Sequence, residues 1–306
     1  MSAVWLLRRL LGIVPTLLLT WTLVFAALHL IPGDPVTLML GGAPASQDAI
    51  EAERARLGLD RPVLAQYAGF LARAAIGDFG DSFRTRQPVL RMVAEQLPYT
   101  ASLALGGLLV GVLLGVPLGV LAGLRPEGWI DAGAMLAALA GLSLPGFWIG
   151  MVLIQVFATG LRWVPVLGTG PVALILPSIS VGLYLAGSLA RLVRAGVIEA
   201  ASQDYVRTAH AKGLPPARVV LRHIGRNALI PPLTLLGTQF ALLIGGAVVT
   251  ERVFARPGVG AMLVEAVLTK DYPVVQGIVV LLTGAYILVN LAVDLLAGVI
   301  DPRVSA

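Results

Sequence analysis

Asp204-Tyr-Val-Arg-Thr-Ala-His-Ala-Lys-Gly213 is the largest polar interruption in the second half of a chain that is otherwise mostly apolar. The runs on either side are long enough to cross a bilayer, and further runs of this kind recur from one end of the sequence to the other. Of 306 residues, 57% are hydrophobic and 13% charged, about half the charge usual in a soluble domain. The mean hydropathy is +0.87. These values indicate a polytopic membrane protein. The runs are continuous rather than alternating, which selects helices over a β-barrel.

Six spans are predicted, at 10–31, 99–124, 132–159, 172–190, 228–250 and 274–300. Arg8 and Arg9 precede the first run, which is too long for a signal h-region and ends in Ile31-Pro-Gly-Asp-Pro35. It reads as an uncleaved span. Those arginines place the N-terminus in the cytoplasm, and six spans return the C-terminus there. The loop 191–227 then lies inside, with seven cations against Glu199 and Asp204. The net charge of +5 is therefore topological, and nucleic acid is not an expected partner. Lysine occurs only at Lys212 and Lys270, and there is no cysteine, which excludes disulfides and thiolate chemistry.

The segment 32–97 falls outside. Amphipathic helices are expected at 47–57 and 63–75, with a turn at Gly77-Asp-Phe-Gly80, together forming a small helical cap. A further outer helix is expected at 260–269. No internal repeat is evident, which argues against an inverted-repeat carrier.

The basic loop reads as two helices joined at Gly213, a residue suited to the left-handed position after a helix. Pro215 and Pro216 suit the start of the second helix. There Arg218, Arg222 and Arg226 recur at i, i+4, i+8 opposite Val220 and Ile224. Such a row suits lipid phosphates, while the first helix is free to project into a partner.

The stretch 204–213, with Arg226-Asn-Ala-Leu-Ile-Pro231 after it, resembles the coupling loop of ABC importer permeases of the dipeptide/oligopeptide/nickel family. Similar too are Ile31-Pro-Gly-Asp-Pro35, Leu57-Gly-Leu-Asp-Arg-Pro62, Gly77-Asp-Phe-Gly80 with Ser82-Phe83, Val253-Phe-Ala-Arg-Pro-Gly-Val-Gly260, Asp271-Tyr-Pro-Val-Val-Gln276 and Asp301-Pro-Arg303. The resemblance runs nearly end to end. Where many importers carry Glu-Ala-Ala, this chain has Arg207-Thr208-Ala209, a departure that looks like the peptide/nickel branch.

The resemblance implies an all-α fold of six transmembrane helices, the type I importer permease fold, with an N-terminal region 1–95, a permease domain 96–297 (coupling loop about 196–227) and a tail 298–306. It implies a bacterial inner-membrane protein working with a second homologous permease, two ABC ATPase subunits, an extracytoplasmic binding protein and membrane lipid. Asp204, Tyr205, Arg207, Thr208, Ala209, Lys212 and Gly213 would couple this chain to an ATPase. Ala209 would permit close approach, and Arg207 would pair with an acidic residue of the groove. Short peptides are the first choice of cargo, with nickel, a metallophore or glutathione as alternatives.

The chain has no Gly-x-x-x-x-Gly-Lys-Ser/Thr, so ATP and magnesium are expected on the partner ATPases and no cofactor on this chain. Asp78-Phe79-Gly80 is a turn, without the other motifs of a kinase. His29, His210 and His223 assemble no catalytic or metal pair in the sequence. An ion-coupled carrier would keep ionisable groups within its spans, and Asp294 is the one clear case. Gln155, Ser178, Thr238 and Gln239, with Ser143, Ser180 and Thr234, are polar residues that would either line a pore or bond neighbouring helices. Gly106, Gly107, Gly111, Gly115 and Gly119 point to close helix packing, and Pro117, Pro145 and Pro177 to kinks.

Overall fold

The computed structural model describes residues 3–30, 33–39 and 46–300. Ile31 and Pro32, the Asp301-Pro-Arg303 motif and the side chain of Asp294 lie outside what it describes. Among the described residues every regular element is helical, and the only bridge is Asp81 with Pro88. Four helices are long and apolar enough to cross a membrane, rising to six when two bent pairs each count as one span. The helices fall into two compact units, one within Met1–Thr100 and Pro257–Ile287, the other within Ala101–Arg256 and Leu288–Ala306.

The first unit contains α1 (Ala3–Leu30), α2 (Pro35–Met39), α3 (Gln47–Arg56), α4 (Val63–Ala75), the start of α5 (Val89–Leu124), α14 (Val259–Leu268) and the first part of α15 (Tyr272–Ile300). α4 lies along α1: Phe70 and Ala74 are buried with Phe25 and Val280, and the Tyr67 and Thr22 hydroxyls are 2.6 Å apart. His29 is fixed by the Phe25 carbonyl at 2.9 Å and by Gln66 at 3.3 Å. α3 departs from expectation. Ser46 caps it, yet it buries no side chain, so its pattern does not make an amphipathic face. α5 begins ten residues before the drawn span, because Val89 and Val93 belong to the buried core of this unit.

Two stretches distant in sequence meet at a buried carboxylate. Asp271 accepts hydrogen bonds from the Ser82 hydroxyl at 2.5 Å and from the Phe83 N–H at 3.0 Å. Next to it the Lys270 ammonium donates to the Gly33 carbonyl at 2.6 Å. A carboxylate that satisfies several donors is strongly held, and its removal orphans all of them. Asp271→Ala is therefore expected to loosen 77–88 first. Limited proteolysis of the solubilised protein should show cleavage there several-fold faster than in wild type, with the long helices still protected.

In the second unit, α5 packs against α8 (Pro171–Ala201) through a glycine ridge. Gly107, Gly111, Gly115, Gly119 and Gly123 face Val181, Leu185, Leu189, Val193 and Val197 in turn. Each partner lies at a constant offset, so α5 and α8 run parallel, and the chain between them must return once. α6 (Trp129–Ser143) and α7 (Gly146–Leu153, continued by a π-helical turn at Ile154–Gly160) provide that return with a 99° bend. The bend follows from Pro145, which holds Leu144 in extended conformation (φ −83°, ψ 130°) and ends α6 there. The Ser180 hydroxyl donates to the Gly146 carbonyl at 2.7 Å and ties α8 to the start of α7.

α8 extends eleven residues past the predicted span. Ala190, Val193, Val197 and Ala200 continue its buried face at helical spacing, which carries Arg191 and Arg194 out of the loop and onto the helix. Arg194 reaches Asp131 at the start of α6 in a bidentate pair of 2.5 and 2.6 Å, and the Glu127 N–H donates to the same carboxylate at 2.9 Å.

Candidate functional site

The basic loop folds as two short helices seated on the end of α8. Gln203 is extended, and α9 (Asp204–Ala211) starts directly after it. Its end is built by Gly213 at φ +73°, as the sequence predicts. The Gly213 N–H donates to the His210 carbonyl at 2.9 Å and the Leu214 N–H to the Ala209 carbonyl at 3.3 Å. This is the paired 5→2 and 6→1 pattern of a Schellman stop, with Leu214 packed on the apolar cluster below.

α9 has two unlike faces. Val206 and Ala209 are buried among Val193, Val197, Ala200, Val219, Ile224 and Ala228. The small side chain of Ala209 thus brings α9 close to its own bundle. Asp204, Tyr205, Arg207, Thr208, Lys212 and Gly213 are exposed. Arg207 is 78% exposed, and its 3.4 Å contact with Asp204 is a loose i, i+3 pair of little energetic weight. Tyr205 is steadied by Asn227, whose amide donates to the phenol oxygen at 2.8 Å. The exposed groups are therefore the Asp204 carboxylate, the Tyr205 ring, the Arg207 guanidinium, the Thr208 hydroxyl, the His210 imidazole and the Lys212 ammonium, on a helix anchored from behind.

The second helix starts at Pro216 as predicted. It runs as α10 (Pro216–Arg218), a π-helical turn (Val219–Ile224) and α11 (Gly225–Ala228). Ile224 is buried and Val220 partly buried, while Arg218, Arg222 and Arg226 are exposed. The wider winding of the π turn shifts the angular spacing of these arginines from the straight row that α-helical spacing implies. The chain then enters α12 (Ile230–Gly246) and α13 (Val248–Val253).

The four polar residues singled out for a pore are dispersed. Gln155 is exposed on the π-helical turn after α7, and Thr238 and Gln239 are half-buried on α12. Ser178 is buried against Gly106, its hydroxyl without a hydrogen-bond partner among the described residues. No hydrogen bond joins these four among the described residues. Among the described residues there is also no group of three or more His, Asp or Glu placed to hold a metal ion.

The Asp131–Arg194 pair is not evident from the sequence. One signal was present, an acid at the start of one apolar run and a base just past the drawn end of another, but nothing in sequence joins partners 63 residues apart.

Comparison with known proteins agrees with this geometry. Residues 115–306 match the family described as binding-protein-dependent transport system inner membrane component, and residues 3–104 match the N-terminal region of such membrane components. The glutathione transport system permease protein GsiC of Escherichia coli (strain K12) is 40% identical over 301 residues, covering 98% of each chain, and that of Shigella dysenteriae serotype 1 (strain Sd197) matches equally. An inward-facing MetNI methionine ABC transporter aligns with TM-score 0.55 at 18% identity, covering 69% of this chain and 97% of that one. An amino acid ABC transporter solved with histidines aligns at 0.51 and 16%, covering 70% and 94%. At that identity the two structures speak for the fold alone, the type I permease fold. With apolar spans, a helix presented beyond the bundle and matching families over nearly its full length, the chain belongs to the binding-protein-dependent inner membrane components and is a permease subunit of an ABC importer.

Proposed function

We propose that this permease admits short peptides of the glutathione class, delivered by an extracytoplasmic binding protein. The driving force is ATP, bound with magnesium and hydrolysed on two separate ATPase subunits. A second, homologous permease completes the pore. Both termini and α9 face the cytoplasm, and the polar segment between the first two spans faces outside. Support for the cargo comes from the glutathione permeases that share 40% of its residues along 98% of its length.

The observation that carries the coupling role is the two-sidedness of α9. Its inner face, Val206 and Ala209, packs in one apolar cluster with the π-helical turn and the end of α8, so a push on its outer face is passed to α8 through that cluster. Tyr205, Arg207, Thr208 and Lys212 supply the contact surface and Asp204 the start of the helix. Gly213 lets the chain turn away without a side chain in the left-handed region. Gln155, Ser178, Thr238 and Gln239 remain the candidates for lining the route.

The test is ATPase activity of the complete complex in nanodiscs with its binding protein, given glutathione, neutral tripeptides or nickel chelates. Stimulation by peptides supports the reading, and stimulation by nickel species alone replaces the cargo. Gly213→Pro should abolish stimulation. Proline cannot reach φ +73° and lacks the N–H that bonds His210. Wild-type stimulation in that variant would remove the coupling role from this turn.

A further inference from the structure

The first unit contains a cavity of about 730 Å³, within the range of small-molecule sites. Phe25, α3, α4, the 78–86 turn and the start of α15 enclose it. Four arginines line it, Arg56, Arg61, Arg73 and Arg86, against two acids, Asp78 and Asp81. The Asp78 carboxylate accepts the Gly80 N–H at 2.9 Å and keeps its negative charge.

The arginines are arranged in two ways. Glu53, outside the cavity lining, gathers two of them: Arg56 at 2.5 and 2.7 Å and Arg86 at 2.7 Å. Arg86 takes this place at φ +60°, a conformation that L-residues other than Asn and Asp rarely adopt. It is held there by its N–H bond to the Ser82 carbonyl at 3.0 Å, and Ser82 is itself fixed by buried Asp271. Backbone strain is sustained where surrounding structure over-determines it, and such places cluster at ligand sites. Arg61 and Arg73 make no ion pair among the described residues. Both side chains are exposed, and four arginines against Asp78, Asp81 and the neighbouring Glu53 leave a net positive charge at the concavity, which concentrates its field. Guanidinium groups bind carboxylates in a planar two-bond geometry.

We infer that this cavity is a receiving site for the carboxylates of a short acidic peptide, contacted by Arg61 and Arg73 before the peptide enters the membrane route. The inference rests on the importer reading and on the outward placement of this unit. A concavity of this volume suits a molecule of a few residues better than the flat face of a protein.

Binding of Glu-Gly-Glu and of its neutral analogue Gln-Gly-Gln to the complete complex in nanodiscs, without binding protein, tests it. Glu-Gly-Glu should bind at least about tenfold more tightly, an advantage that shrinks as salt is raised. R61Q/R73Q should erase the difference and R61K/R73K should keep part of it, with thermal unfolding recorded for each variant to establish that it is folded. Equal affinities, absence of binding to the wild-type complex, or an unchanged preference in R61Q/R73Q would overturn the site. So would a loss confined to capture of the binding protein, which would make these arginines a protein-docking surface. Peptide uptake into proteoliposomes is scored separately. Preferential binding of Glu-Gly-Glu without any peptide uptake would support the cavity and sink the cargo reading.

Discussion

Gly119→Val is expected to prevent this permease from assembling. A Cβ at position 119 would lie 2.5 Å from the Ala190 carbonyl oxygen and 2.7 Å from the Val193 Cβ. The first obstacle is backbone, which cannot rotate away, so the valine must force α5 from α8. Overpacking at a rigid contact costs on the order of 3 kcal/mol. Here the damage extends beyond one site, because Gly115 and Gly123 on the same ridge meet the Ala186 and Arg194 carbonyls almost as closely. In a bilayer, where lipid competes for apolar surface, helix association depends on such close fit. The yield of monodisperse complex should fall to near zero, and Gly119→Ala should lower its unfolding temperature by roughly 5–10 °C. Gly133→Ala on α6 is the control: a Cβ there meets nothing within 4 Å, so stability should hold. Equal loss at both positions would show that helix content, not the seam, is at fault.

Asp131→Ala is the second large effect. Asp131 is 6% exposed and receives both arms of Arg194. Truncation leaves a half-buried guanidinium without its carboxylate and removes the acceptor of the Glu127 N–H. The pair is half-buried, with Arg194 29% exposed, and breaking such a pair from one side is destabilising, whereas replacing both members by apolar groups is closer to neutral. Thermal unfolding should therefore rank Asp131→Ala as the most damaging variant of this pair, with much stability recovered in Asp131→Leu/Arg194→Met. Arg194→Ala should fall between them, since the carboxylate keeps one backbone donor. A double variant as unstable as the sum of its singles would show that the two residues act independently.

Local chemistry was readable in the sequence, and long-range pairing was not. Gly213 announces the end of α9 because few other residues take its backbone angle cheaply, and α4 runs over the residues that its pattern marks. Pro145 signals a break, though not that the break is a 99° turn between two apolar helices. The length of α8 was hidden by Arg191 and Arg194, which lower hydropathy and suggest a loop. The continuing face of Ala190, Val193, Val197 and Ala200 was the better guide. α3 shows the opposite failure, a helix whose pattern suggests an apolar face but which fully buries no side chain among the described residues. Ala209, expected at the ATPase contact, is instead buried toward its own bundle, since a small residue serves a contact on either side of a helix. Asp131 with Arg194 and Ser82 with Asp271 depend on how spans are placed, and a single sequence carries no measure of that.

The seam between α5 and α8 repeats every four residues on both sides, like matching screw threads. Sliding one helix along the other by four residues, about 6 Å, would bring glycines opposite branched side chains again. The thread therefore sets the spacing of the two helices without dictating how far each is driven in. Removing a single residue between Gly107 and Gly123 would cross the thread and jam it. Removing four would leave a seam that still closes, one notch out of step.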